Sequence, residues 1–382
     1  MLIWDLRLGR VRETLTGQTG GINTLKFSDD GHTLYTAGLD GRIIAWDIAG
    51  DRRLARPFPA GDENVGYPPP LAISPSGRTV AAGLSDGRVR LNDARTLRRL
   101  RDLPGIEDGA VSVVEFSPGG RSMAVTGMAG TVELRDAATG RRVRPPLRLG
   151  APAQAMAFSP DGGRLAVADI AGNLRLLDLG SGKVRRAPRL AGFTAHLSYA
   201  PDGRMLAIGL AEQGVELRDG RSLHLVARLP QSPGDEGWWV RFSPDGRLLA
   251  VTSSHYTQLW DVAKRRRIGP PLRGHGGLVF TSEFSPDGRT LATSASDGSV
   301  ILWDVESRRS LGKLPGPLGQ ISSRFTPDGQ RLFVLHELGA AQRWEVSPDA
   351  WSKHACRVAG RELTRAEWEQ LVPDQDYRAV CS

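Results

Sequence analysis

The chain has 382 residues, 40% of them hydrophobic, and a formal net charge of +8 at neutral pH. No apolar run approaches the roughly 18 residues of a membrane-spanning helix, and residues 1–5 lack the pattern of a secretory signal, so we expect a soluble, cytoplasmic protein without a membrane partner. Arginine supplies all but five of the 50 basic residues. This skew fits a GC-rich coding sequence better than selection for a polyanion, so the charge alone does not favour a nucleic-acid partner.

Residues 274–304 show the repeating unit of the chain in its fullest form. The unit opens with a Gly-His pair, has a Ser-Pro-Asp-Gly turn at 285–288 and an Asp-Gly turn at 297–298, and closes with a Trp-Asp pair at 303–304. Short runs rich in Val, Leu, Ile, Thr and Ser separate these turns. Such runs between Gly, Pro and Asp punctuation predict a three-stranded antiparallel meander.

The unit recurs along the chain at a nearly constant period. The turn glycine reappears at intervals of 41–46 residues, at Gly31, Gly77, Gly120, Gly162, Gly203, Gly246, Gly288 and Gly329. The closing pair reappears in full or degenerate form at 46–47, 92–93, 135–136, 177–178, 218–219, 260–261, 303–304 and 344–345, with a ninth copy at 4–5. A period of about 40–45 residues is typical of the four-stranded blades of a propeller.

From the Gly-His opening to the Trp-Asp close, the unit resembles the WD-repeat family. The resemblance implies an all-β fold, an eight-bladed β-propeller of four-stranded antiparallel blades over residues 1–346, with a seven-bladed ring as the alternative. The strand at residues 11–15 is available to complete the last blade, which leaves residues 2–5 over. In the second repeat, prolines at 68–70 cannot donate to a strand ladder, so we expect a bulged or shortened innermost strand there.

Residues 347–382 differ from the repeats and predict a short helical tail. Ser347-Pro348 has the pattern of a helix cap, and Thr364 with Glu367 forms a capping-box pattern, so two short helices are expected. The tail resembles one that follows propellers in bacterial WD-repeat proteins, often at the end of large signalling or NTPase chains. That resemblance makes Cys356 and Cys381 a possible disulfide; two reduced thiols are the alternative.

The sequence offers little chemistry. The seven histidines are scattered, and none has metal-ligand spacing, so we expect a noncatalytic protein without cofactor or metal. In the resembled family a loop His, a strand hydroxyl, a turn Asp and the closing Trp form a structural hydrogen-bond relay. Here the corresponding residues are His275, Ser294, Asp297 and Trp303.

Function is therefore expected on surfaces. Propeller topology places the loops before each innermost strand, and the turns between second and third strands, on one edge, which we call the loop rim. Aromatic residues and Arg are frequent in the energetic centres of interfaces. The residues predicted for a binding surface on this rim are Trp238, Trp239, Phe280, Phe193, Tyr67, His255 and Tyr256.

Paired basic residues recur after the Trp-Asp position, on the opposite edge, which we call the turn rim. They are Arg52, Arg53, Arg98, Arg99, Arg141, Arg142, Arg185, Arg186, Lys264, Arg265, Arg266, Arg267, Arg308 and Arg309. They predict a ring of positive charge that either docks an acidic partner or forms a solvated edge that discourages sheet-to-sheet aggregation. The second interpretation is favoured.

Together these features predict a protein- or peptide-binding scaffold or sensor, monomeric or a module of a larger bacterial signalling or NTPase-linked chain. The alternative is an enzyme or small-ligand receptor that uses the central channel. That alternative requires charged side chains converging in the channel, whereas the innermost strands offer mostly Ala, Ser, Thr, Val and Leu. The sequence does not identify the partner, and it leaves open whether an effector domain precedes Met1.

Overall fold

The computed structural model describes most of the chain. The described residues are 2–5, 10–14, 22–29, 33–38, 43–47, 55–59, 70–107, 109–190, 192–211, 213–229, 239–316, 319–337, 339–347, 350–351, 356 and 364–365. They form two compact units: Met1–Arg56 with Trp344–Ser382, and Pro57–Arg343. This division differs from the predicted boundary between residues 346 and 347. No helix in the described part is long and apolar enough to cross a membrane.

The described residues contain 33 strands and form antiparallel sheets. The first six strands are β1 (Leu2–Asp5), β2 (Arg10–Thr14), β3 (Ile22–Phe27), β4 (Thr33–Gly38), β5 (Ile43–Asp47) and β6 (Ala55–Pro59). The next twelve are β7 (Leu71–Ile73), β8 (Thr79–Gly83), β9 (Val89–Asp93), β10 (Arg99–Leu103), β11 (Val111–Phe116), β12 (Ser122–Gly127), β13 (Thr131–Asp136), β14 (Leu147–Arg148), β15 (Ala153–Phe158), β16 (Arg164–Asp169), β17 (Leu174–Asp178) and β18 (Val184–Arg186).

The remaining strands continue the same alternation of short strand and turn. They are β19 (Thr194–Tyr199), β20 (Met205–Leu210), β21 (Gly214–Asp219), β22 (Leu225–Leu229), β23 (Trp239–Phe242), β24 (Leu248–Thr252), β25 (Thr257–Asp261), β26 (Arg266–Arg267), β27 (Val279–Phe284), β28 (Thr290–Ala295), β29 (Val300–Asp304), β30 (Ser310–Leu314), β31 (Ile321–Phe325), β32 (Arg331–His336) and β33 (Ala340–Glu345). The predicted all-β class is confirmed.

The larger unit is a closed ring of seven four-stranded blades. The blades are β7–β10, β11–β14, β15–β18, β19–β22, β23–β26, β27–β30 and β31–β33 with β6, here called the first to the seventh. Each innermost strand contacts the next one along the chain, and β31 of the seventh blade contacts β7 of the first. An apolar cluster that packs Phe333 and Leu335 against Leu71 and Val80 joins these two blades.

The strand that completes the seventh blade is β6, which pairs with β33. Residues 11–15 were expected to do this, and that expectation is wrong, because β2 pairs with β1 in a separate two-stranded sheet. A fourth strand taken from just before the first blade still removes the exposed edge that an open sheet would present.

The smaller unit holds the first of the eight repeats. All eight repeats form their own antiparallel sheets, as predicted, but seven sheets are four-stranded and the first, β3–β5, has three strands in the described part. The larger unit thus contains seven of the eight predicted blades, and the smaller unit contains the other. In the smaller unit Leu34 is buried against Ile3 and Trp46.

Turn chemistry repeats around the ring. The turn glycine of each blade, which follows Pro-Asp in five of the seven, has a φ near +70°, which an L side chain rarely adopts, and it lies against the turn proline of the preceding blade. The pairs are Pro75 with Gly120, Pro118 with Gly162, Pro160 with Gly203, Pro201 with Gly246, Pro244 with Gly288, Pro286 with Gly329 and Pro327 with Gly77. The last pair crosses from the seventh blade to the first, so the glycine contacts repeat the closure of the ring.

Two local predictions are confirmed. The innermost strand of the second repeat, β7, has three residues, whereas β11 has six. At the start of the tail, the Ser347 hydroxyl accepts a hydrogen bond from the Ala350 amide at 3.1 Å, and the Ser347 carbonyl accepts one from the Trp351 amide. This is the geometry of a helix N-cap. The predicted cap at Thr364 to Glu367 lies largely outside the described residues.

The aspartates of the closing pairs cap the turns that follow them. In Asp304 the Oδ1 atom accepts the Ser307 amide at 2.7 Å and the Ser307 hydroxyl at 2.5 Å. These bonds hold the pKa of Asp304 below its ordinary value. Hydrogen bonds from the equivalent turns lower the pKa values of Asp136, Asp178 and Asp219 in the same way.

We expect the ring to lose stability in acid. Because the folded pKa values lie below the ordinary value of 3.8, the stabilisation is complete above about pH 4 and is lost as the pH falls toward the folded values. Lowering the pH from 5 to 3 should therefore lower the thermal unfolding midpoint. Asp304→Asn should reduce the dependence of that midpoint on pH. An unchanged midpoint across this range would show that the pKa values of these carboxylates are the same in the folded and the unfolded chain.

Candidate functional site

The fullest repeat contains the expected relay with one residue changed. The Trp303 indole donates to Thr293 Oγ1 at 2.9 Å, and His275 Nε2 lies 2.8 Å from the same oxygen. His275 Nδ1 lies 3.4 Å from Asp297 Oδ1 and 3.1 Å from Ser299 Oγ. The predicted hydroxyl, Ser294, is wrong for this role.

Alternation along β28 explains the difference. Successive side chains of a strand face opposite sides of the sheet, so Ser294 faces away from the relay, and its hydroxyl bonds Ser323 Oγ of the seventh blade at 2.8 Å. The same pairing occurs in the smaller unit, where the Trp46 indole donates to Thr36 Oγ1 at 2.8 Å. The strand hydroxyl of the relay is thus the second-strand residue whose side chain lies on the same face as the closing Trp of the third strand: Thr293 beside Trp303 and Thr36 beside Trp46.

The relay is buried and neutral at its histidine. Burial lowers the pKa of His275, so Nε2 accepts from Thr293 while Nδ1 donates toward Asp297. Burial opposes the ionisation of Asp297, but hydrogen bonds from Ser299, Lys313 and Gly276 outweigh it and lower its pKa. With every polar group paired inside one blade, the relay acts as scaffold.

Two blades replace the closing Trp by Arg and bury an ion pair instead. In the fourth blade Arg218 Nη2 lies 2.7 Å from Glu216 Oε2, with both side chains 6% exposed or less. In the second blade Arg135 Nη2 lies 2.6 Å from Glu133 Oε2. In the sequence, a Glu two residues before the Arg indicates this arrangement, in which a buried ion pair takes the place of the closing Trp.

The loop rim carries exposed aliphatic and aromatic side chains on four of the seven blades. Met128 and Ile170 occupy the turns between second and third strands of the second and third blades, and Phe193 and Leu278 precede the innermost strands of the fourth and sixth. Their exposed fractions are 58%, 45%, 37% and 44%. We call these four residues the apolar crescent. Phe193 was predicted. Met128, Ile170 and Leu278 were not, because the predicted binding surface was based on aromatic side chains.

Backbone hydrogen bonds connect this rim from blade to blade. The loop before an innermost strand bonds the turn of the preceding blade, as Val279 does with Ser254, and the turn of its own blade, as Leu278 does with Ser296. The Phe193 carbonyl likewise accepts the Ala211 amide at 3.0 Å. Hydrogen bonds therefore hold the backbone of the apolar crescent in place, which reduces the conformational entropy that the rim loses when a partner docks.

The other predicted rim residues divide three ways. His255 is exposed, and Phe280 and Tyr256 are partly buried, with the Arg273 guanidinium 4.5 Å from the Tyr256 ring centre. Trp238 and Tyr67 lie outside the described residues. The placement of Trp239 on the rim surface is wrong, because its side chain is 7% exposed.

Trp239 is held between blades. Its ring stacks on His196 of the fourth blade, with 3.5 Å between ring centres, and its indole donates to the Ser282 carbonyl of the sixth blade at 3.0 Å. Position 239 begins the innermost strand β23, so the side chain points into the ring and not to its edge.

On the turn rim, the described basic residues are exposed except for Arg308, which is partly buried. Several already have partners: Arg99 bonds Asp102 at 2.9 Å, Arg142 bonds Glu133 at 2.8 Å, and the Arg267 guanidinium lies 5.4 Å from the Trp260 ring centre. Arg52 and Arg53 lie outside the described residues. Intramolecular pairing reduces the charge that this edge presents to a partner, which supports the solvated-edge interpretation.

Four charged side chains converge on the central channel, which sequence analysis did not anticipate. Glu115, Arg241, Glu283 and Arg324, here called the channel cluster, each immediately precede the last aromatic residue of an innermost strand. The Arg241 Nη2 atom lies 2.7 Å from Glu283 Oε1, and Arg324 Nη1 lies 3.9 Å from Glu283 Oε2. The expectation of mostly Ala, Ser, Thr, Val and Leu in these strands is therefore wrong at this level of the ring.

Two residues of the channel cluster, Glu115 and Arg324, line a small cavity. The cavity measures about 40 Å³ and is bordered by Glu115, His196, Trp239, Ser322 and Arg324, among other innermost-strand residues. Burial lowers the pKa of His196 well below its ordinary value, so its ring is neutral. Its Nδ1 lies 2.8 Å from the Val240 carbonyl, which assigns the proton to that nitrogen.

Cys356 is disulfide-bonded. Cys381, the only other cysteine of the chain, lies outside the described residues. No group of three or more His, Cys, Asp or Glu side chains suited to a metal ion occurs in the described part.

Comparison with known proteins agrees with the repeat architecture. Residues 9–47 and 267–304 match the family described as WD domain, G-beta repeat. The chain is similar to DDB1- and CUL4-associated factor 10 of Xenopus laevis, at 30% identity over 172 residues that cover 41% of this chain and 37% of that protein. It is similar to the same factor of Homo sapiens, at 31% identity, with 41% and 31% covered.

A third relative is the guanine nucleotide-binding protein subunit beta-1 of Nicotiana tabacum, at 31% identity over 108 residues that cover 28% of this chain and 29% of that protein. In each case the matched part of this chain spans well under half the length of the relative. This chain thus carries WD-type repeats and is similar to WD-repeat proteins over the matched segments.

Proposed function

We propose that this chain is a noncatalytic scaffold that binds a protein or peptide on the apolar crescent. The observation that carries the proposal is the exposure of Met128, Ile170, Phe193 and Leu278 on one edge of a rigid ring. Exposed apolar side chains gathered on one face mark interaction sites. Burial of such side chains stabilises a complex by roughly 25 cal/mol per Å² of apolar surface, less the cost of association.

The relatives support binding over catalysis. One is named for its association with DDB1 and CUL4, and another is a subunit of a guanine nucleotide-binding protein, so both names describe members of assemblies. A module of a larger signalling or NTPase-linked chain in the bacterial cytoplasm is the finer proposal. It rests on the tail resemblance at residues 347–382, and the relatives named above are eukaryotic.

Replacing crescent residues by serine should weaken capture without unfolding the ring. Peptides selected from a display library on the wild-type chain serve as the probe, and Met128→Ser with Leu278→Ser should weaken their binding by about tenfold or more, since each truncation of an anchoring side chain costs roughly 1–2 kcal/mol. The thermal midpoint should hold, because these side chains are exposed.

Leu100→Ser with Leu311→Ser is the matched control. Both leucines are about half exposed, but they lie on the outer strands β10 and β30, away from the loop rim. If this control weakens the peptides as much as the crescent variant, or if the crescent variant binds normally, docking on the crescent is refuted.

A second candidate function, a small-ligand receptor in the central channel, is favoured by one specific observation. The channel cluster brings four ionisable side chains to one level of the innermost strands. A catalytic use of the channel has no comparable support.

A further inference from the structure

The two guanidinium groups of the channel cluster are not equally paired. Glu283 is the one carboxylate placed between two guanidinium groups, with Oε1 bonded to Arg241 at 2.7 Å and Oε2 3.9 Å from Arg324. Glu115, the other acid of the cluster, has its pKa raised by burial, and among the described residues the ion pairs of both arginines are with Glu283 and not with Glu115. One guanidinium charge therefore has no counter-ion at hydrogen-bond distance among the described residues.

Arg324 is the guanidinium in question. Its side chain is 17% exposed, and it donates from Nη1 to the Ser323 carbonyl at 3.0 Å, which leaves most of its five donors uncommitted within the described part. The guanidinium carbon lies 5.7 Å from the Trp239 ring centre. Since Trp239 is fixed by its stacking on His196 and its bond to Ser282, Arg324 has a rigid neighbour on that side.

The size of the cavity limits the ligand. A cavity of about 40 Å³ holds around three waters, because one water needs roughly 10–15 Å³ by this measure. A nucleotide or a sugar does not fit. A carboxylate group does, and a guanidinium presents parallel donors that match a carboxylate in a bidentate way.

The cavity also extends to the loop-rim end of the innermost strands. It is bordered by Ser112, Gln154, Ala195 and His196, all within the first three residues of their innermost strands. The first residues of these strands follow the loops of the loop rim. A group that enters from that side passes along the innermost strands to reach Arg324, the fourth of the five residues of β31.

We propose that the channel is a receptor for a carboxylate, held by Arg324 beside the Trp239 ring, with Arg241 and Glu283 fixing the charge around it. The carboxylate comes either from a small free acid or from an acidic side chain of a chain docked at the loop rim. Arg324 is the one guanidinium among the residues that border the cavity, so a cation bound beside it would meet a like charge. The inference does not need the crescent to bind a partner, because a small acid alone occupies the site.

Saturation-transfer NMR with acetate tests the site on the full chain. Acetate should receive saturation from the wild-type protein, and Arg324→Gln should weaken its binding by about tenfold or more, as expected for loss of a hydrogen bond to a charged group. Arg324→Lys keeps the charge and should retain weaker binding. Arg309→Gln, at an exposed arginine of the turn rim, is the matched control and should bind as the wild type does.

Two capped tripeptides, Gly-Glu-Gly and Gly-Gln-Gly, separate the sources. If only acetate binds, the ligand is a free acid; if the glutamate peptide also binds in an Arg324-dependent way and the glutamine peptide does not, a side chain is accepted. Methylguanidinium binding in place of acetate, acetate binding that survives Arg324→Gln, or no binding of acetate and glutamate peptide would each overturn the proposal. Loss of acetate binding with the peptide selection on the crescent intact would leave the scaffold function standing.

Discussion

Replacing Glu216 by leucine is expected to lower the free energy of unfolding of the ring by about 3–5 kcal/mol, because it leaves a buried charge without its partner. Arg218, 5% exposed, donates to Glu216 Oε2 from Nε at 2.9 Å and from Nη2 at 2.7 Å. After the substitution, the bond from Nη1 to the Leu223 carbonyl at 3.1 Å is the side-chain bond that remains. Urea denaturation followed by circular dichroism measures the loss as a lower midpoint.

Restoring an apolar pair should reverse most of this loss. At the equivalent positions the sixth blade has Ile301 and the third blade has Leu177, both buried, so Glu216→Ile with Arg218→Leu uses apolar residues that other blades already bury there. Replacing a buried ion pair by well-packed apolar residues is often neutral or stabilising. The double variant should therefore unfold at a midpoint close to that of the wild type.

Arg228→Gln separates the buried pair from the exposed one. Arg228 bonds Glu216 Oε1 at 3.0 Å, but its side chain is 65% exposed, so its loss should cost no more than about 1 kcal/mol. If Glu216→Leu costs as little as Arg228→Gln, the Arg218 guanidinium reaches water in the variant and the pair is not a buried element of the blade.

The repeats were predictable because their signals are local. A turn glycine at a positive φ, the proline two residues before it and the aspartate that caps the next turn each act within four residues of their own position. Each signal therefore survives in blades that have lost the Gly-His or the Trp. This is why all eight sheets were found from spacing alone, although Asn92, Arg135, Leu177 and Arg218 replace the closing Trp.

The closure of the ring was not predictable from such signals. Both β2, with the sequence RVRET, and β6, with ARPFP, are short strands of mixed polarity, so neither has a local pattern that fits the edge of β33 better than the other. The choice between them depends on which sheets pack together. The count of seven in the closed ring follows from that pairing.

The channel cluster and the relay show two further limits. Arg241, Glu283 and Arg324 lie about 42 residues apart in sequence and meet only because adjacent blades place the same position at the same level of the channel. A comparison of the residue before the last aromatic in each innermost strand would have found them. For the relay, Thr293 and Ser294 are adjacent hydroxyl residues, and a one-residue shift places a side chain on the other face of the strand, so composition did not distinguish them.

Replacing Thr293 by valine is expected to destabilise the sixth blade strongly while preserving side-chain volume. The hydroxyl accepts from the Trp303 indole at 2.9 Å and lies 2.8 Å from His275 Nε2, so valine leaves two buried polar atoms without partners. Each such atom costs about 1–3 kcal/mol. Ser294→Ala removes a neighbouring buried hydroxyl that has one hydroxyl partner, Ser323, and should cost less than half as much. Thermal unfolding of the two variants decides the assignment. Equal losses, or a greater loss for Ser294→Ala, would assign the relay hydroxyl to Ser294, whereas a midpoint that falls chiefly for Thr293→Val assigns it to Thr293.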